Sequence, residues 1–275
     1  MTRVRLQARE VSRVFETGDQ RIVALEAMNL EIRSGEVICL VGPSGCGKST
    51  FLAMAAGLDS PTSGELTIDG QPLEGPGADR GMVFQRDCLF PWLSVRENVH
   101  FGLELIETQR IYGIGVRQLR QYCDELLDFV GLWDFRDNYP MALSGGMRQR
   151  AAIVRALATR PALLLMDEPF GALDAQTRED MQLLLQRLCT EHGTTVLFVT
   201  HDVEEAVFLG DRVVVMGANP GRAVVDVSVP LPRPRDYHTK TQHDFQTIRG
   251  EVLDHLYRVR SDVAANTGTQ KGETQ

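Results

Sequence analysis

Residues 42–49 read Gly42-Pro43-Ser44-Gly45-Cys46-Gly47-Lys48-Ser49, with Thr50 next, and a short apolar run from Val37 to Val41 leads straight into them. Glycines at this spacing let successive backbone N–H groups turn inward around an anion, and a helix beginning behind them adds its positive dipole end. A lysine closing such a loop reaches the β- and γ-phosphates of a nucleotide, and the neighbouring hydroxyl suits Mg²⁺. A chance glycine turn is the bland alternative. The buried-strand pattern before the loop and the apolar helical stretch after it (Phe51, Leu52, Met54 and Ala55, stopping near Gly57) argue against that alternative. The implied ligand is a nucleoside triphosphate, held over Gly42–Thr50.

A second apolar run, Leu163-Leu164-Leu165-Met166, ends in Asp167-Glu168. Two carboxylates at the C-terminal end of a buried strand stand where open α/β sheets bind ligands. Asp167 is the natural partner of Mg²⁺ together with Ser49, because magnesium takes carboxylate and phosphate oxygens. Glu168 is placed to orient or deprotonate an attacking water. Alone, Asp-Glu after a strand is as often a solvated turn; beside a phosphate loop that reading weakens. His201 follows the strand Val196–Thr200 and reaches the same edge, so a contact to the γ-phosphate outweighs a purely structural histidine. Gln85, after Met82-Val83-Phe84, ends one more short strand and can read metal or water, although a glutamine by itself is weak evidence.

The stretch Leu143-Ser144-Gly145-Gly146-Met147 runs directly into a helical pattern carrying Ala151, Ala152, Val154 and Leu157. Its free N–H groups, hydroxyl and positive helix end make a second anion cradle. The alternative is an ordinary N-cap serine. Two cradles but a single phosphate loop suggest that the cradles meet across a twofold dimer, each nucleotide held by both subunits.

The positioning elements follow from periodicity. The first 36 residues alternate apolar and polar positions, as antiparallel half-exposed strands do, and 64–70 reads as another short strand. Continuous apolar runs at 162–166 and 195–199, separated by a helix from Thr177 to Glu191, imply parallel strands covered on both faces. From Asp87 to Ala158 the texture is helical, with breaks at residues 91, 113, 115, 131 and 140. A last strand is expected over Arg212–Met216, then an extended, proline-punctuated surface arm from Val229 to Asp236, with a packing role as the alternative. A helical extension over 236–260 and a disordered polar tail over 261–275 complete the expectation. The fold class is thus α/β: a nucleotide core with a parallel-rich sheet, an N-terminal antiparallel β subdomain and an inserted α-helical subdomain.

Bulk properties restrict the rest. The 275 residues can bury a sizeable core, 29 basic against 37 acidic residues leave a net charge of −8, and no basic stripe marks a nucleic-acid partner. Five cysteines, at positions 39, 46, 88, 123 and 189, form no Cys-x-x-Cys pair and fit a reducing compartment. No run approaches the roughly 20 apolar residues that span a bilayer, so any membrane role requires another chain.

Together these residues resemble the ATP-binding cassette (ABC) ATPases, over residues 3 to about 216. In that likeness Gly42–Ser49 is the P-loop, Leu143–Met147 the signature, and Leu163–Glu168 the aspartate-glutamate strand. Gly171-Ala172-Leu173-Asp174 is similar to the D-loop, Gln85 to the Q-loop glutamine and His201 to the switch histidine. The resemblance implies a P-loop NTPase fold, ATP and Mg²⁺ as cofactors, and a homodimer in which Ser144, Gly145 and Gly146 meet ATP bound by the opposite subunit. It also implies Glu168 as catalytic base, Asp174 as a link between the two sites, and Phe15 in place of the usual adenine-stacking tyrosine, a strand-edge core residue being the alternative for Phe15. Met147 replaces the usual glutamine of the signature, and Cys46 fills a variable P-loop position where alkylation is expected to obstruct phosphate.

The branch likeness is to nitrate, sulfonate and taurine importers, carried by Tyr139-Pro140-Met141-Ala142 and by the Asn219-Pro220-Gly221-Arg222 and Val229–Asp236 endings. It implies a peripheral subunit at the cytoplasmic face of the cell membrane. Its partners would be integral-membrane permease subunits, received near Asp87–Leu93 with Phe90, Pro91 and Trp92, and indirectly an extracytoplasmic solute-binding protein. Core packing is the competing reading of that aromatic cluster. A soluble cassette ATPase of translation or DNA repair is a second reading, but it would carry two cassettes or long coiled-coil insertions.

Overall fold

A computed structural model describes residues 3–18, 20–104 and 115–269. The alternating N-terminal residues pair as a long antiparallel hairpin, β1 (Val4–Thr17) with β2 (Gln20–Arg33). Leu6, Ala8, Val11, Leu25, Met28, Leu30 and Ile32 turn to the buried face, the period-two outcome of that pattern. With β4 (Ser63–Ile68) and β5 (Gln71–Pro72) they make a four-stranded sheet in the order β2-β1-β4-β5.

The second sheet holds β3 (Val37–Val41), β6 (Arg80–Val83), β7 (Leu163–Asp167), β8 (Thr195–Val199), β9 (Arg212–Gly217) and β10 (Arg222–Ser228). Its order is β10-β9-β3-β8-β7-β6, parallel throughout except for the antiparallel β10. Every residue of β3 and β8 is buried, because both faces are covered. Alternate side chains feed two cores. Ile38, Leu40, Leu163, Leu165 and Leu197 pack with Phe51, Leu52 and Met54 of α1 (Lys48–Ala56) and with the small sheet. Cys39, Val41, Leu164, Met166 and Phe198 pack on the other side with α5 (Ala175–His192) and α6 (Val203–Leu209). Between β6 and β7 stand α2 (Val95–His100), α3 (Val116–Phe129) and α4 (Gly145–Leu157), whose Val95, Leu119, Leu126 and Ile153 continue that core.

The end of the chain departs from the sequence expectation. Arg222–Ser228 is a further strand, β10. The expected surface arm is instead packed inward, with Val229 and Leu231 buried and Arg235 only 2% exposed. The Arg235 guanidinium donates to the carbonyls of Val207 (2.9 Å), Phe208 (3.1 Å) and Gly210 (2.7 Å), and to those of Val229 and Leu231 (both 3.2 Å). The first three lie at the C-terminus of α6, where carbonyls lack helical partners and the dipole favours a cation. Five acceptors replace the water the guanidinium leaves behind, which is why the charge tolerates burial. A final helix, α7 (His243–Thr269), continues nine residues past the expected end at 260; the remainder of the expected tail, 270–275, and the break at 113 lie outside the described residues.

Candidate active site

The C-terminal ends of β3, β8, β7 and β6 lie side by side, and each releases one part of the expected site. The phosphate cradle leaves β3, His201 follows β8, Asp167 and Glu168 end β7, and Gln85 follows β6. This edge is the ligand-binding edge of an open α/β sheet.

Gly47 ends the cradle with φ 89° and caps α1, which therefore begins at Lys48, inside the glycine loop's own motif. A Cβ there would stand 2.7 Å from Leu25 Cδ2 and 2.9 Å from the Ala24 carbonyl oxygen, so conformation and space both require glycine. Lys48 is buried, and its ammonium donates to the carbonyls of Gly42 (2.9 Å) and Pro43 (3.1 Å). An ammonium on two neutral carbonyls can exchange them for phosphate oxygens, which as charged acceptors bind it more strongly.

Cys46 corrects one expectation. Its side chain is fully buried beneath the cradle, its sulfur 2.7 Å from where a Gly42 Cβ would be. Burial pushes its thiol up, with Lys48 opposing. Alkylation depends on the exposed thiolate, so Cys46 is protected and does not serve as the expected point of obstruction. Burial also pushes Cys123 and Cys189 up to about 12, whereas Cys88 is exposed. Iodoacetamide at neutral pH is therefore expected to label Cys88 and leave Cys46 intact in the folded chain, read by peptide mass mapping; equal rates at the two sites would contradict this packing.

Ser49 Oγ donates to Asp167 Oδ1 at 3.1 Å. Burial pushes the Asp167 carboxyl up, and the Ser49 bond opposes it. No cluster of three or more His, Cys, Asp or Glu side chains suited to a metal occurs among the described residues. A hydroxyl beside one carboxylate, both hard oxygens, fits Mg²⁺, which takes few protein ligands and completes its shell with phosphate and water.

Next along the edge, His201 Nδ1 lies 3.0 Å from Glu168 Oε2. A carboxylate only accepts, so in this pairing the proton sits on Nδ1. Glu168 has φ 42°, a left-handed conformation that costs a non-glycine residue about 1 kcal/mol. It is held there by its N–H to the Val199 carbonyl (2.9 Å) and its carbonyl to Gly171 N–H (3.2 Å). Six other non-glycine residues among those described share a positive φ, and of the seven Glu168 alone stands at this strand edge with a histidine on its carboxylate. Gln85 is exposed two residues beyond β6.

Ser144 caps α4, accepting from Met147 N–H at 3.3 Å, and is itself exposed with Gly145. The first N–H groups of the helix have no intrahelical acceptor. A Cβ on Gly146 would meet Thr177 Cγ2 at 2.5 Å, so this glycine lets the N-terminus of α4 sit against that of α5. Asp174 caps α5 through Thr177 N–H at 3.0 Å, a bond that holds its carboxyl below the usual range. The two segments expected to face a second subunit are thus neighbours within one chain. Phe15 stands half-exposed on β1 with the Arg13 guanidinium 4.6 Å from its ring centroid, so a cation occupies one of its faces.

Some contributors were missed in the sequence. Arg148 donates to Asp87 at 2.9 Å and to the Leu143 carbonyl at 2.7 Å, tying the Ser144 cradle to the Gln85 loop. Arg178 donates to the Leu173 carbonyl at 2.9 Å behind Asp174. The single available signal was a charged residue inside each motif helix. The Asp87–Leu93 segment is shaped by the fully buried Asn98, whose amide donates to the carbonyls of Phe90, Leu93 and Ser94 (3.1, 3.0 and 3.0 Å) and whose oxygen accepts from Phe90 N–H (2.7 Å). Phe90 packs tilted against Phe101 and Trp92, with ring centroids 4.7 and 5.4 Å apart, while Trp92 stays 69% exposed.

One sheet edge carrying a phosphate loop, a hydroxyl–carboxylate pair and a glutamate–histidine pair defines a P-loop ATPase with a cassette-type helical insertion. The ABC transporter family model matches residues 25–171. The chain is 46% identical over 253 residues to the nitrate import ATP-binding protein NrtD of Synechocystis sp., covering 90% of this chain and 93% of that protein. It is 43% identical over 264 residues to the taurine import ATP-binding protein TauB of Roseobacter denitrificans, covering 94% and 96%. The solved dimeric structure of MJ0796, a bacterial ABC transporter cassette, matches with a TM-score of 0.71 at 34% identity, over 82% of this chain and 100% of that one. The chain belongs to the ABC transporter family and is an ABC-type ATPase.

Proposed function

We propose that this chain is the ATP-hydrolysing subunit of a membrane importer for a small anion or sulfonate-type solute, such as nitrate, a sulfonate or taurine. The observation that carries the hydrolytic part is the Glu168–His201 pair on the strand ends adjoining the Ser49–Asp167 pair. In this reading Gly42–Thr50 hold the phosphates, Ser49, Asp167 and Gln85 hold Mg²⁺, and Phe15 stacks on adenine. Glu168 takes the proton of the attacking water while His201 and Gln85 fix the γ-phosphate and that water. Ser144, Gly145 and Gly146 of one subunit close on the nucleotide of the other, with Asp174 linking the two sites. The dimeric state of the similar MJ0796 cassette supports that arrangement. Residues 1–235 make up the ATPase unit, and the helical segment after them is an extension.

Similarity to proteins named for nitrate and taurine import supports the cargo class. The transport reading rests further on an exposed aromatic rim. Trp92 and Phe101 border a cavity of about 720 Å³ whose wall includes Arg96, Glu97 and Arg120. A large aromatic side chain held out by a buried asparagine is the anchor type found at protein interfaces. No described helix is long and apolar enough to cross a membrane, so the permease would supply the spans and hold this subunit at the cytoplasmic face. An extracytoplasmic binding protein would deliver the solute. Affinity capture of the tagged chain from detergent-solubilised native membranes is expected to recover a multi-span permease. Trp92→Ala should reduce that recovery, consistent with a hot-spot loss of about 2 kcal/mol. Recovery of ribosomes or DNA instead would overturn the transport reading.

A further inference from the structure

Behind His201 runs a buried polar chain that the reaction described above leaves unused. Thr200, which precedes the histidine, is 2% exposed; its hydroxyl donates to Glu205 Oε2 at 2.5 Å and accepts from Asp202 N–H at 3.0 Å. Asp202, which follows the histidine, accepts from Glu204 and Glu205 N–H at 2.8 and 3.3 Å and so caps α6. Both neighbours of His201 are therefore anchored to the first turn of α6, Thr200 through the Glu205 carboxylate and Asp202 through the Glu204 and Glu205 N–H groups.

Glu205 is 5% exposed, and its second oxygen accepts from Gln182 Nε2 at 3.1 Å. Gln182, also buried, accepts through Oε1 from Lys240 Nζ at 3.3 Å. Lys240 pairs in addition with Glu204 (3.3 Å) and Glu179 (4.0 Å) and lies 4.8 Å over the Phe208 ring. It belongs to a 3-10 turn, Tyr237–Thr241, between the buried Arg235 and α7. A continuous path, Lys240–Gln182–Glu205–Thr200, thus joins the C-terminal segment to the residue before His201.

Besides this anchoring, the His201 ring has its bond to Glu168 Oε2 at 3.0 Å. The histidine side chain is 67% exposed. Between it and the buried chain is a cavity of about 40 Å³, bounded by Glu168, Arg178, Thr200 and Glu205 and large enough for one water. A second cavity, of about 440 Å³, is bounded by His201, Asp202, Glu204, Arg249 and Leu253. With open space against it, the imidazole is aimed by its backbone anchors and its Glu168 bond rather than by packing. A buried carboxylate whose bonds are to a hydroxyl and an amide is tolerated where its complete satisfaction fixes one arrangement.

We infer that Thr200 and Glu205 are positioning residues for His201, and that Lys240 makes the segment after the catalytic sheet part of the same brace. The inference rests on the role proposed for His201, and the test separates the two. In the full-length chain, His201→Ala should lower the kcat of MgATP hydrolysis. Thr200→Val and Lys240→Met should each lower kcat about ten- to hundredfold, the range that a misaimed group produces, with KM for ATP unchanged because the P-loop is untouched. Thr200→Ser, which keeps the hydroxyl, should restore turnover. In a His201→Ala background neither substitution should lower kcat further.

Normal kcat in Thr200→Val, assayed well below its melting temperature, would show that the hydroxyl only supports the fold and would overturn the inference. Additive losses in the His201→Ala background would overturn it too, by showing that the chain acts elsewhere. Full turnover in His201→Ala alone would instead remove the role of the histidine, and the brace with it. Should Thr200→Val fail to fold, Lys240→Met, whose side chain is partly exposed, decides the matter.

Discussion

Glu168→Gln is expected to bind ATP normally and to hydrolyse it about 10²- to 10⁴-fold more slowly, the range that loss of a general base produces. The amide matches the carboxylate in size, and its oxygen can still accept from His201 Nδ1, which lies 3.0 Å from Glu168 Oε2 in the parent chain. The left-handed backbone at this position is held by main-chain bonds to Val199 and Gly171, which the substitution leaves alone. Only proton abstraction from water is removed. If two chains close over shared nucleotides and hydrolysis reopens them, the variant accumulates in the closed form. Gel filtration with ATP and Mg²⁺ should then show a dimer for Glu168→Gln. Only monomer, with ATP shown to be bound, would dissociate hydrolysis from reopening, and undiminished hydrolysis would remove Glu168 from the role of base.

The parts of this site that were legible in the sequence are those written in consecutive residues. A buried strand announces itself by an unbroken apolar run, and the chemistry of this fold stands at strand ends, so Val41 pointed to the cradle and Met166 to Asp167 and Glu168. What escaped was non-local or half-exposed. β10 alternates exposed residues with intermediate ones and a single buried one, Val227, after an Asn-Pro-Gly turn, a pattern shared with an irregular arm. Arg235 among prolines looks solvated until α6 brings three carbonyls to it. Arg148 finds Asp87 from 61 residues away, and Glu205 finds Gln182 from 23. Composition gives no register for such pairs, since a charged residue on a helix is ordinarily on a solvated face. The protection of Cys46 was hidden for a related reason: its position in a glycine loop suggests exposure, and only Leu25 and Gly221, packed against the adjoining residues, close the space around the cradle.

Ser144→Arg is expected to abolish steady-state hydrolysis while each chain still binds ATP. Ser144 has two separable duties. As the N-cap of α4 it accepts from Met147 N–H, and losing that bond costs about 1 kcal/mol of stability. Its second duty, in the proposed function, belongs to the dimer: with exposed Gly145 it presents a hydroxyl and free N–H groups at a positive helix end, a cradle suited to the γ-phosphate of a nucleotide bound by the other subunit. Arginine fills that cradle with a long side chain, so closure of the second subunit fails although the P-loop is unchanged. Ser144→Ala separates the duties, because it loses the cap without crowding the cradle. Its melting temperature should fall by about as much as that of Ser144→Arg, yet it should keep measurable turnover. Combined with Glu168→Gln, Ser144→Arg should also prevent the ATP-dependent dimer from appearing on gel filtration. Near-normal hydrolysis by Ser144→Arg would mean that nothing approaches this cradle from outside, and the two-chain grip on ATP would have to be abandoned while the chemistry at Glu168 stood.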